Sequence, residues 1–124
     1  FNDILHASNL AGQAINTTRT SVAHAISYEY TIKFGVPHGL ACSFTLPNIH
    51  NFITKEVNDK TYNNFAQHIS KIISYLESLS LFNMVKEFEQ DSNNIINLSL
   101  LNTSRLDTFL VAPSSKMLES FTNE

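Results

Sequence analysis

The sequence predicts an all-α domain, a helical bundle of about six or seven helices with no sheet. Three observations predict it. Apolar residues recur at intervals of three and four along the chain, the period of a helix face and not of a strand. The clearest breaker cluster, Gly35, Pro37 and Gly39, divides two such runs, as a turn between helices does. The 124 residues suffice for one domain at most, which buries roughly 65–70% of its unfolded surface. Residues 1–124 are therefore read as a single helical domain.

The elements follow in order. Phe1 to Thr17 reads as a helix, with Ile4, Leu5, Ser8, Ala11, Gly12 and Ile15 on one stripe. Small residues at 8, 11 and 12 predict that another helix approaches closely. That packing would offset the cost of about 1 kcal/mol for a helical glycine relative to alanine. Asn16 to Thr20 is a polar turn, and Thr18 or Thr20 is the candidate N-cap of the next helix. This helix carries His24 and is expected to end near Tyr30 or Thr31. Gly35 breaks it, and Pro37 pushes Val36 out of the helical region. Pro37 then opens a second helix through His38, Leu40, Ala41, Phe44 and Leu46.

Lys55 to Lys60 is charged, and Asn58-Asp59 has loop and cap chemistry. A longer helix follows, with Tyr62, Phe65, Ile69, Ile72, Ile73, Leu76 and Leu79 as a broad core face, closed by Ser78 to Ser80. Phe82 to Phe88 fits a short helix with Met84, Val85 and Phe88 inward. Asp91 to Asn94 reads as a turn, and Ile95, Ile96, Leu98, Leu100 and Leu101 read as buried. Asn102-Thr103-Ser104 can cap a turn around Leu106, Phe109 and Leu110. Pro113-Ser114-Ser115 starts a last helix through Met117, Leu118 and Phe121.

Composition narrows the function. The formal charge of −3 and scattered Lys and Arg argue against a nucleic-acid partner. No apolar run approaches the roughly 18 residues of a membrane span, and no targeting segment is present, so no membrane partner is expected. One cysteine, Cys42, cannot form an internal disulfide, which fits a cytoplasmic location. No Gly-x-Gly pattern occurs, so this chain offers no Rossmann-type nicotinamide site.

The chemistry concentrates in Ser21 to Pro47. His24 and His38 lie fourteen positions apart. One straight helix would hold them about 21 Å apart, too far for a shared ligand. A helix end before Gly35 and an extended return segment of up to about 23 Å could instead bring them together. Metal binding through both rings is thus compatible with the spacing without being required by it. Cys42, one turn after His38, faces the same way; thiolate is a plausible ligand, but the residue reads more simply as a small core side chain. Phe34 and Phe44 read as core before substrate wall. His6, His50 and His68 read as solvated or helix-end histidines.

These residues carry a resemblance. Ser21, His24-Ala25, Ser27, Thr31 and Val36-Pro37-His38-Gly39-Leu40-Ala41, with Ser8 to Ala14 upstream and Leu46-Pro47 after, resemble the metal-binding segment of the iron-containing (type III) alcohol dehydrogenases. The likeness runs from Ala7 to roughly Phe52. It implies a dehydroquinate synthase-like C-terminal helical domain. It implies a divalent metal, iron preferred and zinc the alternative, with His24 and His38 as two of four protein ligands. Tyr28, one turn beyond His24, stands where the family often has a histidine linked to proton movement, and is the candidate catalytic residue. The usual proline after that position is Glu29 here.

The resemblance further implies a parent enzyme that uses NAD or NADP on a small alcohol or aldehyde, and that is a homo-oligomer. The family's other two ligands, an Asp and a His, and its nucleotide-binding domain have no counterpart in this chain, which is expected to be an inactive fragment that holds metal weakly. The Val36 to Leu40 turn is expected on an exposed apolar face left by the missing domain. The competing expectation is a free-standing helical interaction module without catalysis.

Overall fold

The computed structural model describes residues 1–90, 97, 101 and 103–123. It is all-helical, and no strand occurs among the described residues. The helices are α1 (Asn2–Thr17), α2 (Val22–Phe34), α3 (His38–Ser43), α4 (Leu46–Phe52), α5 (Lys60–Ser78), α6 (Leu81–Glu89), α7 (Thr103–Leu106) and α8 (Ser115–Phe121). A π-helical turn, Ile53–Val57, prolongs α4. The readings made for Asp91 to Asn94, and for Ile95, Ile96, Leu98, Leu100 and Asn102, lie outside the described residues.

Helix α2 is the axis of the bundle. It buries Val22, Ala25, Ile26, Ser27 and Tyr30, and it packs most extensively on α3. Its N-cap is Ser21, not Thr18 or Thr20. It also runs three residues past Thr31, to Phe34. Nothing at Thr31 stops a helix; the stop is Gly35, which adopts φ 70° in the left-handed region. The Gly35 N–H donates to the Thr31 carbonyl at 3.1 Å, and the Val36 N–H to that of Tyr30 at 3.4 Å. Val36 is fully buried while Pro37, His38 and Gly39 are exposed. The turn expected on an exposed face is thus exposed at Pro37, His38 and Gly39 but anchored in the core by Val36, with Leu40 packed against it.

The single helix expected from Pro37 to Leu46 is two. Helix α3 stops at Ser43, and α4 restarts with Pro47 in its first turn. Proline lacks the N–H to continue the ladder and clashes with the carbonyl four residues back, but it suits a first turn. The resulting bend sends Phe44 into the core, 1% exposed, edge-on to Tyr30 at 4.8 Å and to Phe82 at 5.4 Å between centroids. Burial of one such ring contributes about 2–3 kcal/mol. Phe34 packs half-buried against the same core.

Asn58 closes the π turn in the left-handed region, φ 52°. Asp59 caps α5, accepting from the Tyr62 N–H at 2.7 Å, as its cap chemistry predicts. Ser114 caps α8 by accepting from the Met117 N–H at 3.2 Å. Asn48 in α4 donates to the Asn123 carbonyl at 2.7 Å and ties down the end of the chain.

Three apolar faces are more open than their periodicity predicts. Helix α1 buries none of its residues, and a Cβ at Gly12 would meet nothing within 4 Å. The close helix approach expected at Ser8, Ala11 and Gly12 is absent among the described residues. In α5 only Ala66 and Ile73 are buried, whereas Phe65, Ile72 and Leu79 are exposed. In α6, Val85 points inward, but Met84 and Phe88 do not. Amphipathic period selects the face of a helix that avoids water; whether another element covers that face depends on the rest of the assembly. Among the described residues, no helix is long and apolar enough to cross a membrane.

Candidate metal centre

The turn from α2 to α3 folds one helix back on the other. His24 lies in the first turn of α2: its neighbours Val22, Ala25 and Ile26 are buried, and it stands half-buried at the rim of the seam. His38 is the first residue of α3, on the solvent side. The two rings meet with Nε2 3.3 Å from Nε2. Their planes are nearly perpendicular, 82°, with centroids 4.9 Å apart. Without an ion, this geometry suits one ring donating an N–H to the lone pair of the other.

Cys42 departs from its expected role as a core residue. It is half-buried, one turn after His38, and its Sγ lies 3.6 Å from both His24 Nδ1 and His38 Nε2. Among the described residues, these three are the group of His, Cys, Asp or Glu side chains whose donor atoms converge, all within 4.8 Å of one another. Neutral imidazoles and a thiol are a donor set that fits a divalent transition metal.

Electrostatics favour uncharged donors. Burial holds His24 below the usual imidazole range, helped by the neighbouring His38 and by the Arg105 guanidinium. Burial pushes the Cys42 thiol up, and a hydrogen bond from the Ser27 hydroxyl offsets part of that. Ser27 is fully buried, and its Oγ donates to the His24 carbonyl at 2.8 Å. It therefore braces the helical turn that carries His24 while facing Cys42.

Tyr28 stands beside the pair. Its ring meets His24 edge-on at 5.9 Å and tilts against His38 at 5.6 Å. Arg105, on α7, lies over the Tyr28 ring, 4.3 Å from guanidinium carbon to centroid, in cation–π range. Arg105 also borders a recess of about 350 Å³ that it shares with Thr18, Arg19 and Thr20. Nothing in the sequence links position 105 to position 28, because their proximity is created only when α7 packs on α2. Of the other histidines, His6 and His68 are exposed. His50 pairs with the Tyr62 hydroxyl at 3.2 Å, away from the metal centre candidate.

Comparison with known proteins identifies the family. The family model described as "Fe-containing alcohol dehydrogenase family, C-terminal" matches residues 2–111. The NADPH-dependent butanol dehydrogenase of Clostridium saccharobutylicum is 31% identical over 87 residues, which is 68% of this chain and 22% of that protein. The phosphonoacetaldehyde reductase of Streptomyces viridochromogenes is 48% identical over 40 residues, 32% of this chain and 10% of that protein. The chain thus spans about a fifth or less of the length of these relatives. No solved structure matches it significantly. A family match over most of the chain, together with an all-helical fold, leads to one conclusion: the chain belongs to the Fe-containing alcohol dehydrogenase family, as part of its C-terminal domain.

Proposed function

We propose that this chain is the metal-holding part of a metal-dependent, NAD- or NADP-linked alcohol dehydrogenase or aldehyde reductase, with His24 and His38 as metal ligands. The observation that carries the proposal is the 3.3 Å approach of the two Nε2 atoms across the α2–α3 seam. Two imidazoles aimed at one point are a costly arrangement for a module that only docks, and an economical one for a metal site.

A divalent ion held there would supply Lewis-acid stabilisation of the negative charge that develops on an alcohol or aldehyde oxygen. This chain's own residues do the rest of the local work. Burial, with His38 and Arg105 beside it, lowers the His24 pKa and so favours the form with a free lone pair. The Gly35 turn and the buried Val36 fix the distance between the rings. Tyr28 orients substrate at the edge of the pair; as a phenol it serves by hydrogen bonding and not as a strong base. Arg105 places a fixed positive charge beside it, which suits an aldehyde with an anionic group, a chemistry named for the phosphonoacetaldehyde reductase. Iron is the family's metal, and zinc fits the donors as well. The nicotinamide would be held by further sequence in the parent protein, which we also propose to be a cytoplasmic homo-oligomer.

The test uses a longer protein that contains this chain. It should reduce aldehydes with NADH or NADPH, lose that activity to a chelator, and regain it with Fe²⁺ or Zn²⁺. Tyr28→Phe should lower kcat more than it raises KM. Activity that survives both the chelator and His38→Ala would overturn the proposal.

A further inference from the structure

The distances around Cys42 have a second meaning besides hydrogen bonding. In a tetrahedral site with metal–nitrogen bonds of about 2.05 Å and a metal–sulfur bond of about 2.3 Å, the nitrogen–nitrogen edge is about 3.3 Å and the nitrogen–sulfur edge about 3.6 Å. Here His24 Nε2 and His38 Nε2 are 3.3 Å apart, and His38 Nε2 and Cys42 Sγ are 3.6 Å apart. The third edge, also 3.6 Å, is met by Nδ1 of His24 in place of Nε2. With one donor atom taken from each residue, the three atoms all lie within 4.8 Å of one another.

We propose that Cys42 is a metal ligand, so that this chain by itself supplies three donors, His24, His38 and Cys42. The proposal rests on the assignment of the two histidines above. On coordination the thiol proton leaves to solvent, and a sulfur–metal bond replaces the S–H bond without any change of oxidation state. Three protein donors are enough for a stable transition-metal site. A thiolate in the set also biases the site toward zinc or cobalt over ferrous iron. The expectation of weak binding by two histidines alone is thereby replaced with one of tight, zinc-selective binding.

The placement of Cys42 agrees with this role. It lies on the same helix as His38, one turn on, so α3 holds two donors at a fixed separation while α2 supplies the third. Ser27, buried beneath the seam, donates its hydroxyl to the His24 carbonyl at 2.8 Å and braces the turn that carries that ligand.

The test is a cobalt titration of the 124-residue chain, stripped of metal and kept reduced, followed by zinc competition. The native chain should bind one Co²⁺ and develop a near-ultraviolet sulfur-to-cobalt charge-transfer band. Cys42→Ser and Cys42→Ala should lose the band, and zinc affinity should fall by more than the roughly 10–100-fold that loss of an outer-shell partner costs. Two variants are used because serine preserves the packing if alanine does not, and the band of the native chain needs no variant at all. Cobalt binding without the band, unchanged in both Cys42 variants but lost in His38→Ala, would overturn the role of Cys42 and leave the histidine assignment standing. Cobalt binding that persists in His24→Ala and His38→Ala, or no binding by the native chain, would overturn both.

Discussion

His24 and His38 meet at 3.3 Å across fourteen positions of sequence, because the chain between them makes one complete helix end, one left-handed glycine and one buried anchor. Gly35 is the residue on which that meeting depends. Its φ of 70° is strained for any residue with a Cβ, although a Cβ there would touch nothing within 4 Å. Gly35→Ala should therefore destabilise the fold by about 1–2 kcal/mol through backbone strain alone. Metal affinity should fall with it, since the rings lose their register. Urea unfolding and a zinc titration of the same variant check the two effects together; an unchanged affinity would separate the turn from the site.

Tyr30 gives a pH signature remote from the metal ligands. Burial, reinforced by the nearby Glu89 carboxylate, pushes its phenol up to about 12. The unfolded chain releases this proton near pH 10, whereas the folded chain retains it. Above pH 10 the folded state thus binds more protons, and stability falls as pH rises until the folded group also titrates, near pH 12. Tyr30→Phe should flatten this alkaline limb in denaturant unfolding. At neutral pH the same variant should cost about 1 kcal/mol for the lost hydrogen bonds.

Thr45 tests polar burial. It is fully buried at the α3–α4 bend, and its Oγ1 has no partner among the described residues. Thr45→Val keeps the shape and removes the hydroxyl, so it should be neutral or stabilising by about 1 kcal/mol. Thr45→Ser keeps the hydroxyl and loses a methyl, so it should destabilise by about 1 kcal/mol. The two urea midpoints should move apart; a lower midpoint for valine would reveal a partner for the hydroxyl.

Gly12 distinguishes a bare helix from a docking one. With nothing near its missing Cβ, Gly12→Ala should raise the helicity of α1 by about 1 kcal/mol in local propensity. The urea midpoint of the bundle should stay put, because α1 buries none of its residues. Circular dichroism and urea unfolding read the two quantities. A lower midpoint would mean that α1 packs closely on something.

The sequence carried the helical class, the Gly35 break, the Asp59 cap and the start of the last helix at Ser114, because each rests on local period or on turn chemistry, while the spacing of His24 and His38 left their meeting open. It did not carry the split at Phe44–Thr45, although Pro47 is a restart signal, because Leu40, Ala41, Phe44 and Leu46 continue the apolar period across the bend. The exposure of α1 and of much of α5 was hidden for a different reason: period shows which face is apolar and not what covers it. At the site, Cys42 was visible as a neighbour of His38 by helical spacing, but its composition pointed to packing. Arg105 gave no signal at all, since its approach to Tyr28 spans more than seventy residues and depends on tertiary packing.

The central claim is that His24 and His38 bind one metal ion together. Calorimetric titration of the metal-free chain with Zn²⁺, beside folded His24→Ala and His38→Ala, tests it most directly. The account predicts one ion per native chain, binding that weakens as falling pH puts protons in competition with the metal for its ligands, and loss of that binding in each variant while circular dichroism stays native. Binding of unchanged stoichiometry and affinity in either variant would contradict it.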